Sequence, residues 1–259
     1  MLEVVTELDI VVNLSICYVM GMAIEPTTTR RERLRVQTLA EIKQHAMTQI
    51  AEDGVEALSL NAVARAMGMS GPALYRYYAS RDELLATLVA EAWNDLADTL
   101  EAASDHARRR SPEARFRAVC DSYRGWALEQ PHRYRLALET DYGSGRFSPE
   151  ATLPGANRAM IVLLDAVSDL GPFPEPRSGS IRALDKQLER WASARATRAD
   201  LPPAALEMGV LAWTRLHGGV SLELAGVFES MDVDPALLHQ AEVDLLLAHH
   251  AALREPGGG

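Results

Sequence analysis

The sequence predicts an all-α protein: an N-terminal three-helix helix-turn-helix domain followed by a larger helical domain. Apolar residues recur at offsets of three and four through most of the chain, and no stretch alternates apolar with polar residues as a half-buried strand would. Three of the periodic segments open on Ser111–Pro112, Pro202–Pro203 and Asp234–Pro235. A proline in the first turn of a helix is tolerated because its missing N–H had no helical partner. No internal repeat is present.

Residues 1–29 read as a tail. Their apolar run, Ile10 to Met22, is shorter than the ~20 residues a bilayer-spanning helix needs. No basic residue precedes it, as one would in a signal peptide, so no membrane partner is expected. Met20 and Met22 stand just before the polar stretch AIEPTTTRRER, and translation is expected to start at one of them. Arg30, Arg31, Arg33 and Arg35 then cluster, either as a mobile arm near a nucleic-acid backbone or as a solvated basic face. From about Arg33 to Glu52, Leu39, Ile42, Ala46 and Ile50 give helical spacing, and Gly54 ends it.

Between Ser59 and Met67, Leu60, Val63, Ala64 and Met67 share one helical face, with Ser59 as N-cap and Gly68 where a chain leaving a helix needs positive φ. Ser70 is a second N-cap, and a second short helix is expected from Gly71 to Tyr78, with Leu74 and Tyr78 packed inward. That leaves Gly71, Pro72, Ala73 and Arg76 outward. Small residues beside one arginine suit a groove floor, because backbone can approach base edges while a guanidinium reaches guanine O6 and N7.

The helix, the Gly-Met-Ser turn and ALYRYYASRDELL are together similar to the DNA-binding domain of the TetR family of transcriptional regulators, over roughly Arg33 to Leu88. The resemblance implies that Tyr75, Tyr77 and Arg81 touch phosphate, contacts that set register without reading sequence. Many relatives carry histidine at the Tyr77 position, so here that contact should not titrate near neutrality. The expected DNA-facing set is Ser59, Ser70, Gly71, Pro72, Ala73, Tyr75, Arg76, Tyr77 and Arg81, within a DNA-binding domain of residues 30–81. The expected partner is a double-stranded operator.

Residues 82–255 are expected to form the helical ligand-binding and dimerisation domain. A connecting helix spans about Asp82 to Ala107, and others run from Ser111 to Glu129, His132 to Glu139, Ala151 to Leu170 and Ile181 to Ala199. Asp141 to Pro149 reads as a loop and GPFPEPRSGS as a linker. The last two helices, about 203–228 and 235–253, are apolar on more than one side and must be covered, most simply by a second copy in a two-fold homodimer. Two recognition helices related by that axis would read a palindrome with half-sites about one helical turn apart or somewhat more. The segment AWTRLHGGVSLELAG resembles a C-terminal regulatory domain of one branch of the family, marked by a Trp, a His and a Gly. Gly218, Gly219 and Gly226 are read as permitting close helix packing.

Tyr123, Trp126, Trp213 and His217 lie three and four apart on their helices and form the candidate pocket for an unidentified small-molecule effector, with simple aromatic core as the alternative. The overall reading is a ligand-released repressor of the cytoplasm. The competing class is a helical ligand-binding or metal-bundle enzyme without DNA binding. Glu129 and His132 give one E-x-x-H, but Pro131 interrupts it and no second copy exists. No phosphate loop, nucleophile motif, metal site or cofactor is expected.

Composition agrees with a small reading head on a larger body. At 259 residues with 47% hydrophobic side chains, the chain can supply one large or two modest cores. The net charge of -10 argues against nonspecific coating of DNA. Between Arg30 and Arg81, however, eight lysines and arginines face five carboxylates, so the head alone is slightly basic. Cys17 and Cys120 are too few for a disulfide framework, and Cys120 reads as a small buried hydrophobe.

Overall fold

The computed structural model describes residues 29–138, 149–173 and 181–254, with backbone alone at 149–152 and 253–254. The tail and start site, the loop at 141–148 and most of the linker lie outside the described residues. The chain divides into two compact units, residues 1–44 and 45–259, and the division falls within the first helix, α1 (Arg30–Asp53).

In the first unit, α1 opens on a reciprocal cap. Glu32 N–H donates to Thr29 Oγ1 at 3.2 Å, while the Glu32 carboxylate accepts from Thr29 N–H at 2.7 Å and from its hydroxyl at 2.8 Å. This capping box starts the helix three residues before the expected Arg33 and places Arg30, Arg31, Arg33 and Arg35, all exposed, on its first turns.

In the second unit, α1 ends at Gly54, whose φ of 85° only glycine adopts without strain. A 3-10 turn (Val55–Ala57) leads to α2 (Leu60–Ala66), α3 (Gly71–Leu74) and α4 (Arg81–Ala107). Then come α5 (Pro112–Glu129), α6 (Pro131–Leu138), α7 (Pro149–Ser168), α8 (Ile181–Arg195), α9 (Pro203–Leu224), α10 (Val227–Ser230) and α11 (Pro235–Arg254). No strand occurs among the described residues.

The caps explain several boundaries. Ser80 Oγ accepts from Glu83 N–H at 3.1 Å and the Glu83 carboxylate from Ala79 N–H at 2.6 Å, fixing the start of α4. Ser111 Oγ accepts from Ala114 N–H at 3.2 Å at the start of α5. The sequence reading extended the penultimate helix to Phe228, but α9 stops at Leu224. Gly226 takes a left-handed φ of 72° and turns the chain into α10, so its role is that turn rather than close packing.

Helix α4 is the spine of the body, packed against α5, α6 and α7. Its buried stripe, including Leu85, Leu88, Val89 and Leu96, meets Phe116 and Val119 of α5 and Leu164 of α7 in a common apolar interior. Each such side chain contributes roughly 1.5–3 kcal/mol relative to exposure. Gly155 lets α7 approach closely: a Cβ there would lie 2.8 Å from Trp93 Cβ and 3.0 Å from Asn94 N. Arg158 then clamps the pair, donating to Glu101 at 2.7 and 3.0 Å and to Asp98 at 2.6 Å. Helix α9 packs on α5, α7, α8 and α11. Arg124 of α5 holds it through a two-pronged pair with Glu223, at 2.5 and 2.8 Å. Cys120 is fully buried, and burial pushes its thiol far above its ordinary range, which leaves it an apolar filler.

Candidate nucleic-acid interface and internal cavity

The turn between α2 and α3 is a Schellman motif. Gly68 N–H donates to Arg65 O at 3.1 Å and Met69 N–H to Ala64 O at 2.8 Å, with Gly68 at φ 65° as the sequence predicts. Neither Ser59 nor Ser70 makes a side-chain cap bond. Ser59 is held instead by Gln49, whose amide oxygen accepts from Ser59 N–H at 3.1 Å and whose NH2 donates to Ala57 O at 3.1 Å. Helix α3 is four residues long, but mixed bonds carry the coil onward, with Tyr77 N–H and Tyr78 N–H both donating to Leu74 O. The reading of a regular helix to Tyr78 is thus shortened, because the last turn tightens before Ser80 starts α4.

Leu74 and Tyr78 are buried, as their spacing predicts. Tyr75, Arg76 and Pro72 are exposed, Tyr75 to 48%, while Gly71, Ala73 and Tyr77 are half-buried. Gly71 is a point of close approach, since a Cβ there would lie 3.2 Å from Asn61 Oδ1. The Arg76 guanidinium makes no ion pair among the described residues, which leaves all its donors to solvent or an incoming acceptor. Arg81 differs. It donates through Nε to Leu58 O at 3.1 Å and through a terminal nitrogen to Val55 O at 2.7 Å, and it pairs with Asp82 and Glu56. Arg81 therefore clasps the carbonyls that precede α2 to the first residue of α4. Its sequence position showed none of this, because the carbonyls lie 23 and 26 residues upstream.

The helical body holds a cavity of about 790 Å³. Tyr123, Trp213 and His217 line it together with Trp93 and Trp191; the expected fourth residue, Trp126, does not. Trp126 turns its indole N–H to Asp95 at 2.9 Å, an acceptor shared with Arg133 at 2.8 Å. Trp213 and His217 stack, with ring centroids 5.8 Å apart and planes within 5°. Tyr134 organises the polar corner, and nothing in its local sequence singled it out. Its hydroxyl donates to His217 O at 3.0 Å and meets His217 Nδ1 and Ser221 Oγ, each at 2.8 Å. The hydroxyl thus sits among three polar atoms of His217 and Ser221 on one turn of α9. The neighbouring Tyr123 hydroxyl is buried with no hydrogen-bond partner, and burial followed by the Tyr134 hydroxyl holds its pKa well above the ordinary tyrosine value.

Among the described residues no group of three or more His, Cys, Asp and Glu side chains could hold a metal ion, and no helix is long and apolar enough to cross a membrane.

A helix-turn-helix joined by one long helix to an α-helical body with an internal cavity defines a class of DNA-binding regulators. Residues 42–88 match the family model for bacterial regulatory proteins of the tetR family, and residues 116–246 match that for the tetracyclin repressor-like C-terminal domain. The chain is 31% identical over 231 residues to HTH-type transcriptional regulators of Mycobacterium tuberculosis and Mycobacterium bovis, covering 85% of this chain and 94% of each relative. The crystal structure of the protein SCO4313 is similar with a TM-score of 0.72 and 41% identity, over 85% of this chain and all of that one. A TetR family transcription regulator from Marinobacter aquaeolei shares the fold at a TM-score of 0.56 and 18% identity, over 85% of this chain and 97% of that one. The chain belongs to the TetR family of DNA-binding transcriptional regulators.

Proposed function

We propose that the protein is a ligand-released repressor that binds a palindromic operator as a homodimer and acts in the cytoplasm without catalysing a reaction. The reading takes residues 30–81 as the DNA-binding domain and residues 82–255 as the regulatory and dimerisation domain. One observation carries it: a single helix, α4, begins at the Arg81 clasp on the reading head and carries Trp93 and Leu96 into the cavity wall. Twelve residues separate Arg81 from Trp93, about 18 Å of helix. A molecule filling the cavity presses on α4 and tilts the end that holds the head, so that DNA and ligand binding are coupled.

On DNA, Arg76 reads a base edge, and Tyr75 and Tyr77 donate to phosphate. Ser59, Ser70, Gly71, Pro72 and Ala73 shape the surface between them. Arg81 acts through the clasp, as a positioning residue for the head. Trp213, His217 and Gly218 correspond to the Trp, His and Gly that mark one branch of the family's regulatory domains. Dimerisation through about 203–228 and 235–253 is supported by the exposure of Leu211, Leu222, Leu237 and Leu245 on α9 and α11. A Cβ at Gly218 or Gly219 meets nothing within 4 Å in one chain, leaving room for a second copy there.

Selection of bound duplexes from a random DNA pool at ~0.15 M salt, where nonspecific binding is weak, tests the reading. Enrichment of a two-fold palindrome is the expected result. A folded protein that enriches no sequence would refute it.

A further inference from the structure

We propose that the cavity takes a single-headed amphipathic anion, with an apolar body enclosed by the helices and one terminal carboxylate left at the mouth on Arg195. This class rests on the reading of the cavity as the effector site and narrows it. The body of the ligand follows from the walls. Leu96, Leu100, Val119 and Leu163, from α4, α5 and α7, are buried at the closed side, and Trp93 and Trp213 add aromatic faces. No carboxylate lines the cavity among the described residues. A volume of about 790 Å³ is in the range that encloses a whole small molecule, with a few polar groups left to fix its orientation.

The mouth follows from exposure. Of the described lining residues only Leu184, Gln187 and Arg195 are exposed, and all three stand on α8. Arg195 comes four residues after Trp191 and seven after the buried Leu188, so it occupies the face that α8 turns to the cavity. Side chains on a helix lean toward its N-terminus, which carries the guanidinium back over the Trp191 turn instead of past the helix end. The main chain is pinned at that point, since the Arg195 carbonyl accepts from the Asn157 side-chain amide of α7 and from the Thr197 hydroxyl, each at 3.1 Å.

The charge follows from the surroundings of Arg195. It is the one permanently charged group among the described lining residues and makes no ion pair among the described residues, whereas Arg198, three positions on, is held by Asp165 and Asp200. A carboxylate at the mouth gains that counter-charge while it stays partly hydrated. An ammonium there meets repulsion. Any charge carried inward loses its hydration among walls that offer no permanent counter-charge. The ligand is therefore charged at one end, and that end points out.

The test titrates four probes of one body calorimetrically into the full chain and into Arg195→Gln and Arg195→Glu. The probes are ω-phenylhexanoate, ω-phenylhexanol, ω-phenylhexylammonium and the diacid made by adding a para carboxylate to the ring of the first. The monoacid is expected to bind best, roughly three- to tenfold above the alcohol, a modest factor because the pair is open to solvent. Raising the salt should narrow that gap. The ammonium, and the diacid with its second charge at the closed side, should bind at least about tenfold more weakly than the monoacid. Arg195→Gln should bring the monoacid down to the alcohol and leave the alcohol unchanged, and Arg195→Glu should place the ammonium above the monoacid. An alcohol or an ammonium that binds as well as the monoacid overturns the class, and this wild-type ranking stands even if a variant folds poorly. A monoacid that Arg195→Gln does not weaken also overturns it, as does a diacid equal to the monoacid, whose ring then lies in solvent. Binding of the alcohol alone leaves the cavity a ligand site and removes this class, whereas binding of none of the four removes both readings.

Discussion

Two arginines five positions apart, Arg76 and Arg81, carry the same charge and have opposite surroundings. Arg76 is exposed and unpaired among the described residues, so Arg76→Ala should leave the melting temperature unchanged. Its cost should fall on the selected operator, on the order of 1–3 kcal/mol, with relaxed preference at one base pair in each half-site. Arg81→Ala removes two charge-assisted bonds to main-chain carbonyls from a side chain about one-quarter exposed. It should lower stability by about 1–3 kcal/mol in thermal or urea unfolding and weaken all DNA sequences alike. Arg81→Lys should rescue little, because an ammonium at the end of a flexible stem does not reproduce a planar fork that meets two carbonyls at fixed spacing. Unchanged unfolding of Arg81→Ala would contradict the clasp. A third residue sets a pH dependence. Bonds from the Thr29 backbone, then from its hydroxyl, hold the exposed Glu32 carboxyl below its usual range. A depressed folded-state pKa means the cap is fully present above the ordinary glutamate range and is lost as pH falls through the lower folded value. Amide exchange at residues 30–33 should therefore gain protection as pH rises through that window, once the intrinsic exchange rate is divided out, and Glu32→Gln should abolish the dependence.

At the scale of elements, glycine decides where helices touch. Gly155 of α7 faces the α4 main chain, and Gly209 of α9 faces the Leu164 side chain, with which an added Cβ would collide. In both helices alanine gains up to about 1 kcal/mol of propensity over glycine, while over-packing costs about 1–3 kcal/mol. A leucine can turn away but a helix backbone cannot, so Gly155→Ala should destabilise clearly more than Gly209→Ala in the same urea titration. Equal effects would mean that α7 can shift bodily away from α4. These contacts mark the limit of what the sequence discloses. Helical periodicity and the Ser–Pro and Asp–Pro starts placed α4, α5 and α11 nearly to the residue, because local capping and spacing create those boundaries. The break at Gly226 was invisible inside an apolar run, and the left-handed Ala196 after α8 carries no glycine to announce it. The cavity was half legible for the same reason. Trp213 and His217 share a face four residues apart, whereas Trp93 and Trp191 reach the cavity wall, and Tyr134 the His217 ring, from three other helices, and no spacing along the chain records it.

For the whole molecule, the apolar surface of α9 and α11 argues for a second copy. Leu222, Leu237 and Leu245 are 46%, 63% and 56% exposed, too much to be ordinary gaps in a core. They lie on the two helices that α5 and α7 leave partly uncovered. Burying such a side chain contributes up to roughly 1.5–3 kcal/mol, and a two-fold axis counts each one twice, so a few leucines suffice for a stable dimer. The wild-type chain should therefore sediment at twice its 28.4 kDa mass at micromolar concentration. Leu237→Glu combined with Leu245→Glu should sediment as a folded monomer, because both positions are open in the single chain and burial of paired carboxylates is unfavourable only across the interface. The consequence reaches the DNA. A dimer holds its second recognition helix at high effective concentration over the second half-site, whereas a monomer binds each half independently. The double variant should thus lose at least about tenfold in affinity for the full palindrome and little for an isolated half-site. A monomeric variant that still binds the palindrome at wild-type affinity would separate dimerisation from operator reading; a variant that stays dimeric would move the interface to another face.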